Sequence, residues 1–214
     1  HHYLQQAVPL LRTYELIGVL GDALYDKANL ESSRGNYARS LELLQEAQKL
    51  AKTHDNRNLQ ALVLLAKGTT FMSLGRYQDA LALLEQVHQY YEAAQVPGRL
   101  ASTELYLADV WLQLGQPDTA NDCLDKALKN SQQAQQADLF GRIVVGQTAT
   151  LFKQNKPTLA IQLLETELNQ IQSKGERPEL AVMQRFLGQA LCVNNELEKA
   201  EFHLREAENL FQEM

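Results

Sequence analysis

The sequence predicts an all-α protein, a solenoid of stacked helix–turn–helix repeats, because three features recur every 40 residues. Residues that tolerate a left-handed backbone lie where a helix would close, and these are Gly35, Gly75, Gly115, Asn155 and Asn195. Two residues later, Pro117 and Pro157 mark positions where a new helix can begin. Small residues on both helices and a leucine on the second favour close crossing around a shared core, in the columns Ala28, Gly68, Ala108, Thr148, Gly188; Ser40, Ala80, Ala120, Ala160, Ala200; and Leu44, Leu84, Leu124, Leu164, Leu204.

Each helix is predicted from this frame. Residues 3–7 match 43–47 at the same offset, so the chain opens within a second helix. The next helix carries Leu16, Leu20 and Leu24 at helical spacing. After the partial helix at 3–13, helices are predicted over 16–34 and 37–53, 58–74 and 77–94, 98–114 and 117–134, 138–154 and 157–174, and 178–194 and 197–213.

One repeat array is predicted over 1–214, with a partial repeat at 1–15 and repeats at about 16–55, 56–95, 96–135, 136–175 and 176–214. Polar or proline-containing stretches separate the repeats, at 53–58, 96–98 and 173–178. The glutamine-rich stretch 132–137 falls in phase with these breaks. We therefore interpret it as a polar helix end and not as a disordered linker.

This pattern resembles the tetratricopeptide repeat (TPR), which has small residues on both helices, a turn glycine and an aromatic residue near the end of the first helix. The aromatic column is present as Phe71 and Trp111 but changes to Glu31, Leu151 and Leu191. The 40-residue period exceeds the family's usual period of about 34 residues. It looks like the longer-helix variant found in kinesin light chain, polarity scaffolds and bacterial regulators. The resemblance implies a right-handed α-solenoid.

Composition narrows the function classes. The net charge is −6 and no basic cluster lacks acidic neighbours, which argues against direct nucleic-acid binding. No apolar run approaches the roughly 20 residues of a membrane span, so no membrane contact is predicted. Cys123 and Cys192 are predicted to be small buried thiols, a usage that suits a cytoplasmic protein.

The residues that usually carry catalysis are scattered. His54, His88 and His203 are not spaced with cysteine, aspartate or glutamate as a metal site requires. No serine or cysteine lies beside a histidine in a nucleophile pattern, and no glycine-rich phosphate loop follows a strand. We therefore expect no catalytic, cofactor or metal site, and hence no enzyme.

The resemblance implies that the first helix of each pair lines a concave groove. An apolar column along that groove would contain Met72, Leu112 and Phe152, with a polar column beside it that Ala149 interrupts. The alternative is that these side chains pack against neighbouring helices of the solenoid itself. The predicted partner-binding residues are Tyr25, Asn29, Leu65, Thr69, Met72, Leu105, Asp109, Leu112, Arg142, Phe152, Lys153, Arg185 and Gln189.

Charge along the predicted groove is uneven. Arg142, Lys153 and Arg185 make the last two repeats basic, which would orient a partly acidic ligand. Solvated charges or a local pair between Asp109 and Arg142 would explain the same residues. The chaperone-binding branch of the family clamps a terminal carboxylate with lysine and asparagine at fixed places on successive repeats. This sequence has Tyr25, Leu65 and Leu105 where the lysines would be, which argues against that ligand.

Two functions remain open. The first is a non-catalytic protein–protein interaction module that binds a peptide or partner segment, within a larger protein. The second is a ligand- or peptide-sensing segment of a bacterial transcriptional or signalling regulator. The last helix carries Leu204, Ala207, Leu210 and Phe211 in columns that elsewhere meet the following repeat. We therefore expect an internal segment of a longer protein whose exposed end repeats self-associate.

Overall fold

The computed structural model describes residues 2–13, 17–174 and 177–213, and every regular element in these ranges is helical. The helices are α1 His2–Thr13, α2 Ile17–Ser33, α3 Tyr37–Thr53, α4 Arg57–Ser73, α5 Tyr77–Ala93, α6 Pro97–Gln113, α7 Pro117–Gln133, α8 Phe140–Lys153, α9 Pro157–Lys174, α10 Arg177–Val193 and α11 Leu197–Gln212. A short 3-10 turn at Ala137–Leu139 precedes α8. The all-α prediction is confirmed, and the predicted helix limits agree with these bounds to within about two residues.

The five predicted turns within the hairpins all have a left-handed residue. Gly35, Gly75 and Gly115 have φ of 81°, 71° and 75°, and Asn155 and Asn195 have φ of 58° and 63°. At the second turn, the amide of Arg76 donates to the carbonyl of Phe71 at 2.8 Å, the hydrogen bond that closes a helix around such a residue. The recurring turn residue therefore ends the first helix of each pair.

A second left-handed column lies between the repeats, which the sequence analysis missed. Asp55, Gln95 and Gln135 have φ of 47°, 52° and 56°. The amide of Gln136 donates to the carbonyl of Ser131 at 2.9 Å, so this turn closes α7 in the same way. These three residues are 40 positions apart, which could have indicated a second recurring turn. Glutamine, unlike glycine, is not a residue type that predicts a positive φ.

The small-residue columns mark where the two helices of a hairpin cross. Ala80 and Ala120 are fully buried on their second helices. On the facing first helix, a Cβ added to Gly68 would lie 3.2 Å from the side chain of Leu84. In the last hairpin, a Cβ on Gly188 would lie 2.7 Å from Leu204. A small residue on the first helix thus receives the leucine sixteen positions later on the second.

The helices form two compact units, His1–Val96 and Pro97–Met214. In the first unit, Leu24, Leu44 and Val63 are fully buried in one core. In the second, Leu124 and Ile143 belong to one cluster, and a further cluster includes Leu164, Met183 and Leu187. The single array over 1–214 and its repeat boundaries stay a prediction.

The two cysteines differ in exposure, and both are free thiols. Cys123 on α7 is half-buried, and burial raises the pKa of its thiol to about 11. Cys192 is exposed, so its predicted burial is wrong. The last turn of α10 directs Ala190 and Leu191 into the core and leaves the following residues outside.

None of the helices in the described ranges combines the length and apolar character that crossing a bilayer requires.

Candidate partner-binding groove

The first helices of the second unit enclose an open cavity of about 380 Å³. Helix α8 packs beside both α6 and α10, and all three contribute to the lining. Five of the sequence-predicted groove residues meet at this cavity, namely Leu105, Asp109, Leu112, Arg142 and Arg185. The other lining residues are Gly141, Val145, Gly146, Ala149, Val182 and Phe186. The volume lies within the range of sites that hold ligands.

The walls of the cavity are apolar and mostly fixed by the core. Leu105 and Leu112 are 3% and 8% exposed, because both also pack into the cluster around Leu124. Phe186 is half-buried and packs on the core cluster around Met183. The predicted alternative of self-packing therefore applies to the two leucines, which shape the cavity but offer little free surface.

The rim of the cavity carries two exposed arginines, each held against an aromatic ring. The guanidinium carbon of Arg142 lies 5.5 Å from the ring centre of Tyr106. That of Arg185 lies 5.1 Å from the ring centre of Phe186. Such stacking orients a guanidinium and leaves its edge N–H groups available for a carboxylate. Within the described part of the chain, neither arginine forms an ion pair.

Asp109 is the acidic group at this rim. Burial raises the pKa of its carboxyl group, and the charge of Arg142 opposes that rise. The residue keeps solvent-exposed surface at the groove. The two residues therefore influence each other electrostatically without forming the direct pair that the sequence analysis considered.

A second cavity of about 210 Å³ adjoins the first and shares Val145, Ala149 and Phe186 with it. Two further sequence-predicted residues, Phe152 and Gln189, line this cavity. Lys153 follows Phe152 and is exposed, but it lines neither cavity. The remaining lining residues are Thr148, Ala190 and Val193.

Some of the groove residues predicted in the first unit pack or form hydrogen bonds within that unit. Tyr25 packs against the core of that unit, and the hydroxyl of Thr69 donates to the carbonyl of Ala66 at 3.0 Å. Leu65 and Met72 are half-buried, and Asn29 is exposed. A cavity of about 340 Å³ in this unit is lined by other residues, namely Asp55, Arg57, Gln60, Ala61, Leu64, Gln86 and Tyr90.

The predicted partner-binding residues do not include Gly141, Gly146 and Phe186, which also line the larger cavity. Phe186 lies 40 residues after Gly146, and Tyr106 lies 40 residues before it. A column that reads aromatic, glycine, aromatic could have indicated a hole over the middle helix.

Groups that could hold a metal ion were sought as well. In the ranges 2–13, 17–174 and 177–213, no cluster of three or more histidine, cysteine, aspartate or glutamate side chains comes together. His203 contacts the buried side chain of Gln184, with 2.6 Å between Nδ1 and Oε1. Burial lowers the pKa of this imidazole.

The chain is similar in fold to several solved structures, all at low identity. The crystal structure of BtubC from P. vanneervenii has a TM-score of 0.78 at 17% identity, covering 100% of this chain and 88% of that one. A Podosopora anserina protein that carries the name kinesin light chain, with nearly identical TPR-like repeats, has a TM-score of 0.73 at 19% identity, with coverages of 88% and 93%.

A third structure is aspartyl phosphate phosphatase F from Bacillus subtilis, with a TM-score of 0.70 at 16% identity. The match covers 99% of this chain and 54% of that one, so the chain spans about half the length of the phosphatase. None of the curated protein sequences matches this chain significantly.

The family model described as tetratricopeptide repeat matches residues 20–93 and 59–133. Together these overlapping matches span 20–133, more than half of the 214 residues. TPR repeats generally mediate protein–protein interactions and are generally non-catalytic. The sequence matches, the 40-residue helical hairpin and the structural neighbours show that this chain belongs to the tetratricopeptide repeat family.

Proposed function

We propose that this chain is a non-catalytic protein–protein interaction module that binds a segment of a partner in the groove formed by its first helices. The observation that carries the proposal is the gathering of seven groove-predicted residues around two adjoining cavities on α6, α8 and α10. Apolar walls with a few polar groups at the rim are typical of binding sites. The cytoplasm is the compartment that we propose.

The binding energy would come from a small number of buried anchors. In protein interfaces, a few residues that enter well-packed pockets supply most of the affinity. Phe152 is half-buried at the smaller cavity. Its side chain retains exposed surface that a partner could cover.

A ligand-sensing segment of a bacterial transcriptional or signalling regulator is the second candidate. The observation that favours it is the volume of the larger cavity, about 380 Å³, which falls within the range of small-molecule sites. A sensor must bind its ligand differently in two conformations. Small-angle X-ray scattering with and without a saturating ligand separates the candidates, since only a sensor is expected to change its radius of gyration.

The interaction proposal is tested by selecting binders from a random peptide library displayed on phage, with the full chain as target. A selected peptide that carries a photoreactive group should cross-link to the first helices. Replacing Phe152 by alanine should weaken its binding while the helical circular dichroism is retained. Loss of this anchor should cost about 1 kcal/mol or more.

Two exposed residues on second helices, Gln86 and Lys126, provide the matched control. Replacing both by alanine should leave peptide affinity unchanged. Cross-linking to α5, α7 or α9, combined with loss of binding in the Gln86 and Lys126 variant, would place the binding surface on the other side of the hairpins.

A further inference from the structure

We propose that the groove of the second unit recognises an extended acidic segment, with two apolar side chains two residues apart in the adjoining cavities and a carboxylate on Arg142 and Arg185. This inference rests on the proposed function and deepens it by naming the chemistry of the ligand. Three features carry it: the small residues on α8, the offset between the two cavities along that helix, and the positive charge at the rim.

The first feature is that three of the five α8 residues that line the larger cavity are small, namely Gly141, Gly146 and Ala149. The other two are Arg142 and Val145. The positions equivalent to Gly146 and Ala149 on the neighbouring first helices carry longer side chains, Tyr106 and Asp109 on α6 and Phe186 and Gln189 on α10. At these two positions the middle helix of the three therefore carries a smaller side chain than its neighbours.

Packing explains one of these small residues but not the other. A Cβ on Gly146 would lie 2.7 Å from a methyl group of Leu124 on α7, so a side chain there would have to displace that leucine. Ala149 is exposed and lines both cavities. A longer side chain at residue 149 would point into open space, which leaves room for a ligand side chain.

The second feature is the offset of the two cavities along α8. The larger one is lined by α8 residues between Gly141 and Ala149, and the smaller one by residues between Val145 and Phe152. A shift of three to four residues corresponds to about 4.5–6 Å at a rise of about 1.5 Å per residue. Alternate side chains of an extended chain lie about 6.6 Å apart on one face.

A helical ligand would be too wide for the space between neighbouring first helices. A helix with its side chains is about 10–12 Å across. Neighbouring packed helices are about 8–10 Å apart between axes. The furrow between α8 and α10, where Val145, Ala149 and Phe186 line both cavities, is therefore better matched to a single extended strand.

The third feature is an excess of positive charge at this groove in a chain whose net charge is −6. Arg142 and Arg185 line the larger cavity, and Lys153 is exposed beside Phe152. Asp109 is the acidic residue among the lining groups of the two cavities. Because the two guanidinium groups stack on aromatic rings and form no ion pair in the described ranges, their N–H groups can bind a ligand carboxylate.

The test uses the full chain and a random peptide library displayed on phage. The peptides selected should share two apolar residues separated by one position, with aspartate or glutamate beside them. Replacing the acidic residue of a selected peptide by its amide should weaken binding about tenfold, the size expected for a charge-assisted hydrogen bond. Replacing Arg142 and Arg185 by glutamine should have a similar effect, and the two changes together should not add.

Further variants distinguish the contribution of the cavity to peptide binding from that of the arginine charges. Ala149→Gln introduces the residue that α10 carries at the equivalent position and should block both cavities, with a loss of tenfold or more. Ala82→Gln places the same change on an exposed alanine of α5 and should have no effect. Lys129→Gln, which removes a positive charge at an exposed position of α7, is the control for the arginine changes and should leave binding unchanged.

The outcomes distinguish the two proposals. If no peptide is selected that cross-links to the first helices, the proposed function fails. If peptides are selected but lack acidic residues, carry apolar residues four positions apart, or are insensitive to Ala149→Gln, the function stands and this inference is overturned. A selected motif of the predicted kind that responds to Ala149→Gln and to the arginine changes supports it.

Discussion

Gln184 of α10 is buried, and its side-chain oxygen lies 2.6 Å from Nδ1 of His203 on α11. Burial lowers the pKa of His203, while the charges of Glu165 and Glu206 raise it and that of Lys199 lowers it. The net effect is a histidine that the fold favours in its neutral form. This contact joins the two helices of the last hairpin.

The first prediction concerns pH. An unfolded histidine ionises near pH 6.5, and His203 ionises at a lower pH in the folded protein. The unfolded chain therefore binds more protons between these two values. The stability contributed by neutral His203 should be complete above about pH 6.5 and lost as the pH falls through the folded value.

Urea unfolding at a series of pH values between neutral and mildly acidic measures this effect. His203→Gln keeps a polar partner for Gln184 and removes the titration, so it should unfold with a smaller loss of stability towards acidic pH than the wild type. An identical pH dependence in both proteins would contradict the prediction.

The second prediction concerns the helix crossings. Ala80 and Ala120 are fully buried where the helices of their hairpins meet. Replacing either by leucine should lower the free energy of unfolding by about 1–3 kcal/mol through overpacking. The same replacement at exposed Gln86 should be nearly silent. Equal effects in a denaturant titration would show that the crossing is not at these residues.

The third prediction concerns the turn between α7 and the 3-10 turn that precedes α8. Gln135 has a φ of 56°, a left-handed conformation that costs a residue with a Cβ about 1–2 kcal/mol. Gln135→Gly should relieve part of that cost and raise the thermal unfolding midpoint. Lys126→Gly, at an exposed position in the middle of α7, should lower it, because glycine costs about 1 kcal/mol in a helix interior. Destabilisation by both changes would mean that Gln135 is not strained.

The fourth prediction concerns the exposed apolar face of α11. Phe211 is 43% exposed. The equivalent residues of the second helices before it are almost fully buried, namely Ala51, Tyr91, Ser131 and Ile171. We expect this face to self-associate at high protein concentration, since apolar patches of a few hundred Å² drive such contacts.

Sedimentation across a concentration series should therefore show a rise in apparent mass. Replacing Phe211 and Leu210 by glutamate should abolish that rise, whereas Gln212→Glu, at an exposed neighbouring position, should not. A wild-type chain that remains monomeric at about millimolar concentration would rule out this surface as a self-association site.

The fold was determined by features that repeat along the sequence. The turn residues from Gly35 to Asn195 and the small residues of both helices each act over a short distance, through a backbone angle or a single helix crossing. Such local requirements leave the same residue type at the same interval, so the helices could be placed to within about two residues. Gln135 shows the limit, because its side chain gives no sign of its positive φ.

The site depended on relationships that only the tertiary structure decides. The sequence determined that Leu105, Asp109 and Arg142 lie on first helices, but not how much of each remains exposed after packing. Leu105 is buried in the core, whereas Arg142 lies against the ring of Tyr106 and forms no ion pair in the described part of the chain. The cavity over α8 combines buried walls from Leu105 and Leu112 with the exposed Arg142 and Ala149. How much of each side chain stays exposed depends on neighbours from other helices, which repetition along the sequence does not reveal.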